Sequence, residues 1–455
     1  MTSAPSNRPS ATSRSARHRR PALATGAALA VTLALAACGG GGSGGGGGGA
    51  AAAADPKAPV TLTWWTGQAS DAETVLEGLA KDFHSQHPNV TINVSSGASV
   101  TDDLLQKLSA GFAGNTYPDI SYAFGSWASE LGGSGRTLDI TDKVKDPAVK
   151  WDEFPAAGRQ TATPQGRTIG FPAIVDNLVL LYNKTVFDKA GVAYPTNDWT
   201  WDQFRDAAKK LTNLSTKTYG AAYSVSGSED TTWHLWPLLW QNGGDVLTGD
   251  GKKVAFNSAA GVSALSFLRS MAVDDKSLYL DQTDEKYGPL FAANQIGMII
   301  SGPWQLYDLK TAKTKYGVTY LPGTNGNHAT IAGPDLWVLM DHQDADRSYW
   351  AYEFTKWLTD PEQDERWNLE EGNLPLRASE QKSPAYAKLR ADYPDIDVMV
   401  ANFANATKAR PTVPGYVGLS EAVGEQISQV LQGAKQPQEA LDAAATKANA
   451  ALSAG

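Results

Sequence analysis

The sequence predicts an α/β protein in which helices cover the faces of a mostly parallel sheet. Short apolar segments alternate with helical patterns from Val60 onward, which is the signature of this fold class. The length of 455 residues suits two to three domains. A hydrophobic content of 42% supplies a sizeable core and excludes a wholly disordered chain.

The first half of the expected fold alternates strands with helices. Three strands are expected, over residues 60–65, 90–94 and 119–122. A capping box formed by Ser70 and Glu73 predicts the start of the helix between the first two strands. Because ligands bind beyond the carboxyl ends of parallel strands, we expect residues 65–68 and 122–127 at the rim of a binding site.

The second half continues with mixed elements. The sequence predicts a helix start at Thr200-Trp201-Asp202, a hairpin around Asp250-Gly251, a helix over 259–271, and strands over 295–300 and 316–321. Helical patterns dominate from Asp344 to the end of the chain.

The N-terminus predicts an export signal. Residues 1–37 contain five arginines and no acid or lysine, and the apolar run from Pro21 to Ala37 is short for a stable membrane span. Leu35-Ala36-Ala37-Cys38 resembles a bacterial lipobox, in which Cys38 is lipidated and residues 1–37 are removed as a lipoprotein signal peptide. The alternative is an ordinary signal peptide with an incidental cysteine. Residues 38–55, rich in glycine and alanine, predict a flexible tether that holds the protein at the extracellular face of the membrane.

Composition excludes several functional classes. A single cysteine rules out an intramolecular disulfide and cysteine-ligated zinc or iron–sulfur sites. The formal charge of −9 is opposite to the basic footprint of nucleic-acid-binding proteins. His84 and His87 lie on one predicted helix without a visible third ligand, so we expect a solvated face, no metal site and no cofactor.

Seven segments resemble, in the family's order, the extracellular solute-binding proteins of bacterial ABC importers. The resemblance is to the sugar-binding group that includes the maltose-binding protein. The matching segments are Ile169–Lys184, Thr200-Trp201-Asp202, Trp236-Pro237-Leu238 with Gly243-Gly244, Gly302-Pro303-Trp304, Tyr316–Pro322, Gly372–Arg377 and Pro411–Tyr416.

This resemblance implies a periplasmic-binding-protein-like fold of two discontinuous α/β lobes, joined by a hinge with a central ligand cleft. We expect the chain to cross near residues 170–172 and 301–304. Lobe 1 would then comprise residues 56–171 and 303–344, and lobe 2 residues 172–302 and 345–455. Such lobes close around a ligand by hinge motion.

The resemblance also implies a monomeric, lipid-anchored binding protein without catalysis, which captures a carbohydrate and delivers it to separate permease subunits. A pyranose has apolar faces that aromatic rings cover and hydroxyls that need planar polar partners. The expected ligand-binding residues are Trp65, Gln68, Ser126, Trp127, Asp176, Asn177, Trp233, Trp236, Trp304, Asp335, Asn373, Arg377 and Tyr416. For each of them the alternative role is core packing, capping or loop anchoring.

The sequence departs from the maltose-binding protein in two segments. Residues 64–69 and 119–127 lack charged pairs that the maltose-binding protein carries there, which makes a carbohydrate other than maltose the expectation. A secreted, lipid-anchored glycosidase is the alternative function, and it would need two carboxylates about 5–9.5 Å apart. Asp176 could be one of them, and the sequence offers no convincing second. If no sugar binds, glycerol phosphodiesters or peptides are the next candidate solutes.

Overall fold

A computed structural model describes residues 53–68, 70–98, 101–369 and 373–455. Cys38 and the signal segment therefore lie outside the described residues. The strands are β1 Val60–Trp65, β2 Val90–Ser95, β3 Ile120–Phe124, β4 Gly170–Ile174, β5 Val179–Asn183, β6 Tyr219–Ser224, β7 Leu278–Asp281, β8 Ile296–Ser301, β9 Tyr316–Thr319, β10 Ile331–Ala332, β11 Asp335–Leu339 and β12 Lys408–Ala409.

Helices surround these strands. The α-helices are α1 Ser70–Gln86, α2 Leu104–Gly114, α3 Ala128–Gly133, α4 Ala156–Thr161, α5 Lys184–Ala190, α6 Trp201–Leu211, α7 Glu229–Trp233, α8 Trp236–Gln241, α9 Ala259–Arg269, α10 Tyr287–Ala292, α11 Leu306–Thr311, α12 Ala345–Leu358, α13 Pro361–Asp364, α14 Pro384–Asp392, α15 Ile396–Ala401, α16 Tyr416–Leu431 and α17 Pro437–Ala454. Within the described ranges, no helix combines the length and apolar character needed to cross a membrane.

The strands form two five-stranded sheets. The first has the order β2-β1-β3-β11-β4 and the second the order β7-β6-β8-β5-β9. In the first sheet β1 runs parallel to β2 and β3, whereas β11 runs antiparallel to both of its neighbours. In the second, β6 runs parallel to β7 and β8, and β5 runs antiparallel to β8 and β9. The expected α/β class is confirmed, and the sheets are mixed instead of mostly parallel because β5 and β11 enter in the reverse direction.

The chain crosses between the sheets at other positions than expected. β4 belongs to the first sheet and β5 to the second, so the first crossing spans residues 175–178. β9 pairs with β5, which places the second crossing between β9 and β11 and not at residues 301–304. Residues 316–319 therefore belong with the second lobe. The chain takes this path because, after β8, it turns through α11 and returns along the free edge of β5, where Val318 is buried.

Helix α12 also differs from its expected lobe. Its Phe354 ring lies 5.2 Å from the ring of Trp64 on β1 and 5.0 Å from that of Phe83 on α1, measured between centroids. Trp64 and Phe354 are fully buried, so this aromatic cluster holds α12 against the first sheet. Residues 345–358 thus pack with lobe 1, although the sequence placed them in lobe 2.

A small sheet and buried amides join the crossing segments. β10 pairs in parallel with β12, and Asn177 bridges to Ala332 beside them. The Asn177 amide donates to the Met399 carbonyl at 3.0 Å and accepts from Nδ2 of Asn402 at 2.7 Å. Because an unsatisfied amide in this buried position would be costly, these bonds fix the path of each crossing segment.

A buried pair of carboxyl groups lies in the C-terminal part of the chain. Asp364 and Glu380 are buried, and Glu380 accepts from the backbone N–H groups of Leu376 and Arg377, both at 3.1 Å. Burial is the main cause that raises the pKa of Asp364 to about 7, and burial together with the Asp364 charge raises that of Glu380 to about 11.

We predict that this pair makes the protein less stable as pH rises. A carboxyl whose folded pKa lies above its unfolded value retains a proton that the unfolded chain loses, so the stabilisation present near pH 4 is lost as pH rises through about 7. The free energy of unfolding, from urea titrations at pH 5 and pH 7.5, should fall by up to roughly 1.4 kcal/mol per pH unit for each of the two carboxyls. Asp364→Asn should flatten this slope and the exposed Asp152→Asn should not; equal slopes in all three proteins would contradict the assignment.

Candidate functional site

A cleft opens between the two lobes. One cavity of about 540 Å³ is lined from lobe 1 by residues on β3, β4 and β11, and from lobe 2 by residues on α7 and α10. A second cavity of about 1300 Å³ shares Gln68, Phe124 and Glu229 with the first, so the two are parts of one cleft. The first lies within the size range of ligand pockets, about 300–1,000 Å³.

A buried ion pair forms the floor of the cleft. Asp335, at the start of β11, accepts from the Tyr122 hydroxyl at 2.6 Å, from the Gly125 N–H at 3.0 Å and from Nη2 of Arg410 at 3.1 Å. Arg410 follows β12 and is 8% exposed. Three donors and an opposite charge compensate Asp335 for its loss of water.

Aromatic rings line the lobe 2 wall. The ring of Trp233 has the Arg410 guanidinium 5.1 Å from its centroid and the Trp304 ring at 5.6 Å. Trp304 follows β8 on a short turn through Gly302 and Pro303, where an added Cβ on Gly302 would lie 2.0 Å from the Trp304 ring. Trp233 is buried and Trp304 is half-buried, so Trp304 offers more of its face to a ligand.

Asp176 lies under this aromatic wall. It is 7% exposed, and its Oδ1 has no hydrogen-bond partner among the described residues. An added Cβ on Gly333 would approach this oxygen to 2.0 Å, so glycine is required for the close packing. Burial, followed by the charge of Asp335, raises the pKa of Asp176 well above its usual range. The side chain can accept a hydrogen bond from a ligand, or donate one when protonated.

Glu229 and Trp233 come from the same short helix. Ser228 caps α7 by accepting from the Asp230 N–H, and the spacing of four residues places Glu229 and Trp233 on one side of the helix. The Tyr416 hydroxyl donates to Oε1 of Glu229 at 3.2 Å, and Nε1 of Trp236 donates to the same hydroxyl at 3.1 Å. This chain of bonds orients the Glu229 carboxylate at the cleft wall.

The structure brings many of the sequence-predicted site residues to the cleft. Gln68, Asp176, Trp233, Trp304, Asp335 and Asn373 line the first cavity. Ser126 and Trp127 line the second cavity, together with Gln68.

Trp236, Tyr416 and Asn177, which the sequence placed in the site, lie behind it. Trp236 and Tyr416 are buried in the lobe 2 core, where they support Glu229 from behind. Asn177 is fully buried among the crossing segments, since both ends of its amide are bonded there.

Trp65 and Arg377 also lie away from the two cavities. Trp65 is half-buried beneath Lys107 of α2, whose Nζ lies 4.5 Å from the ring centroid. Arg377 is 1% exposed, and it donates to the carbonyls of Thr359 at 2.7 Å and Val149 at 3.0 Å. Its guanidinium anchors a loop in lobe 1, which was the alternative role for this residue.

Sequence reasoning missed several residues that line the cleft, including Tyr122, Glu229, Asp284, Tyr287 and Arg410. Tyr122 lay in the segment expected at the rim and could have been chosen. Arg410 directly precedes the matched segment that begins at Pro411. Neither Asp284 nor Tyr287 lies in a recognisable motif, and only the folded chain brings them to the wall.

Comparison with known proteins assigns the class. The family model described as bacterial extracellular solute-binding protein matches residues 78–394. The sn-glycerol-3-phosphate-binding periplasmic protein of Pectobacterium atrosepticum is 25% identical over 425 residues, covering 88% of this chain and 93% of that protein.

Two solved structures agree in fold and sequence. The cyclic α-maltosyl-1,6-maltose binding protein of Arthrobacter globiformis is 28% identical, with a TM-score of 0.73, over 87% of this chain and all of that chain. An ABC transporter solute-binding protein of Thermotoga lettingae, bound with α-D-tagatose, is 27% identical, with a TM-score of 0.76, over 86% of this chain and 99% of that chain. The chain belongs to the bacterial extracellular solute-binding proteins, which bind a substrate for transport.

We predict that two tryptophans from the expected site differ sharply in their effect on stability. Trp236→Ala removes a fully buried ring and should lower the free energy of unfolding by about 3–5 kcal/mol. Trp304→Ala, at the half-buried cleft position, should cost less than half of that loss. Urea unfolding of both variants measures the difference, and equal losses would show that Trp304 is a core residue.

Proposed function

We propose that this protein captures a carbohydrate in the cleft and delivers it to the membrane permease of an ABC importer. The observation that carries the proposal is the pairing of aromatic faces with planar polar groups in one cavity. Trp233 and Trp304 can cover apolar sugar faces, while Gln68, Asp176 and Asn373 can bond hydroxyls. Stabilisation of the closed lobes requires that the ligand binds them better than the open ones.

Charge in the cleft favours a sugar or polyol over a glycerol phosphate. Arg410 is the one cation among the described residues that line the two cavities. Its guanidinium already pairs with Asp335 and lies 3.9 Å from Glu229, so its charge is largely compensated within the protein. A phosphate ester would enter among carboxylates without a free counter-charge, which is unfavourable.

A binding protein also fits better than the glycosidase alternative. Besides Asp176, the buried carboxylate of the first cavity is Asp335, whose oxygens are held by Tyr122, Gly125 and Arg410. A general acid or nucleophile must be free to exchange its proton or attack the sugar. We therefore propose that a bound sugar leaves chemically intact, and product analysis after prolonged incubation tests this directly.

We predict that Trp304→Ala weakens sugar binding without unfolding the protein. Loss of a stacking face should cost about 1–3 kcal/mol of binding free energy, or roughly five- to 150-fold in Kd. A thermal-shift panel of mono- and oligosaccharides on residues 55–455 first identifies a ligand, and calorimetric titration then compares the variant with wild type. Tyr194→Ala, an exposed aromatic away from the cavities, is the matched control. Unchanged affinity in Trp304→Ala would remove this ring from the site.

We propose further that the mature protein is a monomer, tethered to the extracellular face of the membrane through Cys38. The lipobox-like Leu35–Cys38 segment supports this anchoring. In the native host, Cys38→Ser should move most of the protein from the membrane fraction to the medium, as immunoblotting of both fractions would measure. Retention of the variant at the membrane would contradict lipid anchoring and favour an uncleaved signal or another membrane contact.

A further inference from the structure

The walls of the cleft carry a large excess of negative charge. Nine carboxylates line the two cavities, against the single cation Arg410 among the described lining residues. Arg410 is buried in its ion pair with Asp335 and cannot balance the others. A cleft lined by one sign of charge concentrates the field and attracts solutes of the opposite sign.

Two of these carboxylates face one another from opposite lobes. Glu130 lies on α3 of lobe 1 and Glu421 on α16 of lobe 2, and both line the second cavity. Burial and then the charge of Glu421 raise the pKa of Glu130. Like charges that approach as the lobes close oppose closure unless a cation lies between them.

The cleft also contains buried polar atoms that lack partners. Oδ1 of Asp176 in the first cavity and Oγ of Ser126 in the second make no hydrogen bond within the described part of the chain. These residues are 7% and 3% exposed, respectively. A buried polar atom without a partner is costly, so both positions are ready to bond a ligand.

Aromatic faces complete the recognition of a cation. The half-buried Trp304 and the exposed Tyr307 line the first cavity near Asp308. Organic cations bind over such faces, most strongly over tryptophan. A bare metal ion fits less well, since the described residues contain no cluster of three or more acidic, histidine or cysteine groups that could hold one.

We propose that the transported solute is a carbohydrate that carries protonated amino groups. This inference rests on the proposed function and specifies its substrate class. The sugar rings stack on the tryptophan wall, and the ammonium groups pair with the carboxylates of the cleft, including the Glu130–Glu421 pair.

The test compares oligosaccharides that differ only in this charge. Fully deacetylated chitosan oligosaccharides and cello-oligosaccharides of equal length share a β-1,4-linked skeleton, and maltotriose with its 6-amino-6-deoxy derivative gives an α-linked pair. Calorimetric titrations at pH 6 and low salt should show the amine binding at least tenfold more tightly in one pair. This preference should shrink at 0.5 M salt, where charges are screened.

Variants connect the preference to the cleft. The double variant Glu130→Gln/Glu421→Gln removes two negative charges from the cleft wall and should reduce the preference for the amine several-fold, because the amine loses its counter-charges while the neutral sugar binds as tightly as before or more tightly. Asp250→Asn, in an exposed turn outside both cavities, should leave the preference unchanged.

The outcomes separate the two proposals. If neutral sugars bind as tightly as their amino counterparts, or more tightly, the charged-solute proposal is wrong and the carbohydrate function stands. If none of the amino oligosaccharides binds, the charged-solute proposal is wrong, and if a broad sugar panel also gives no thermal shift, the carbohydrate function fails with it.

Discussion

The buried ion pair between Arg410 and Asp335 is the interaction on which the arrangement of the cleft depends. Moving both charges out of water is expensive, and only a well-satisfied geometry repays the cost. Asp335 obtains it from Tyr122 and Gly125 of lobe 1, while Arg410 lies near Glu229 and over Trp233 of lobe 2. A single guanidinium on a crossing segment thus contacts both walls, so Asp335 and the ring of Trp233 are fixed relative to each other.

The outer wall depends on a second set of polar contacts behind it. Tyr416 connects the indole of Trp236 to Glu229, and Ser420 adds another hydroxyl bond to the same carboxylate. Trp236 and Tyr416 do not line the cavities, yet they determine where a lining charge lies. Such a site tolerates few changes behind its surface, because a displaced supporting ring moves the carboxylate that it orients.

Local sequence patterns predicted local structure well. The capped start of α6 at Thr200 and the strand at Val60–Trp65 follow from residues adjacent in the chain. Strand order and lobe membership depend on contacts between distant residues, such as β9 on β5 or Phe354 on Trp64, which no short window contains. For the same reason an aromatic segment such as Trp233–Trp240 supplied both a cleft residue and a core residue, Trp233 and Trp236, only three positions apart.

The charge of the cleft affects the free energy of lobe closure. Burial, followed by the charge of Asp335, raises the pKa of Asp176, and partial burial, followed by the charge of Glu421, raises that of Glu130. Closure would bury these groups further and raise the cost of their charges. The ligand must therefore offset this free-energy cost through hydrogen bonds, stacking or opposite charge. A solute that satisfies these carboxyl groups would therefore favour the closed lobes over the open ones.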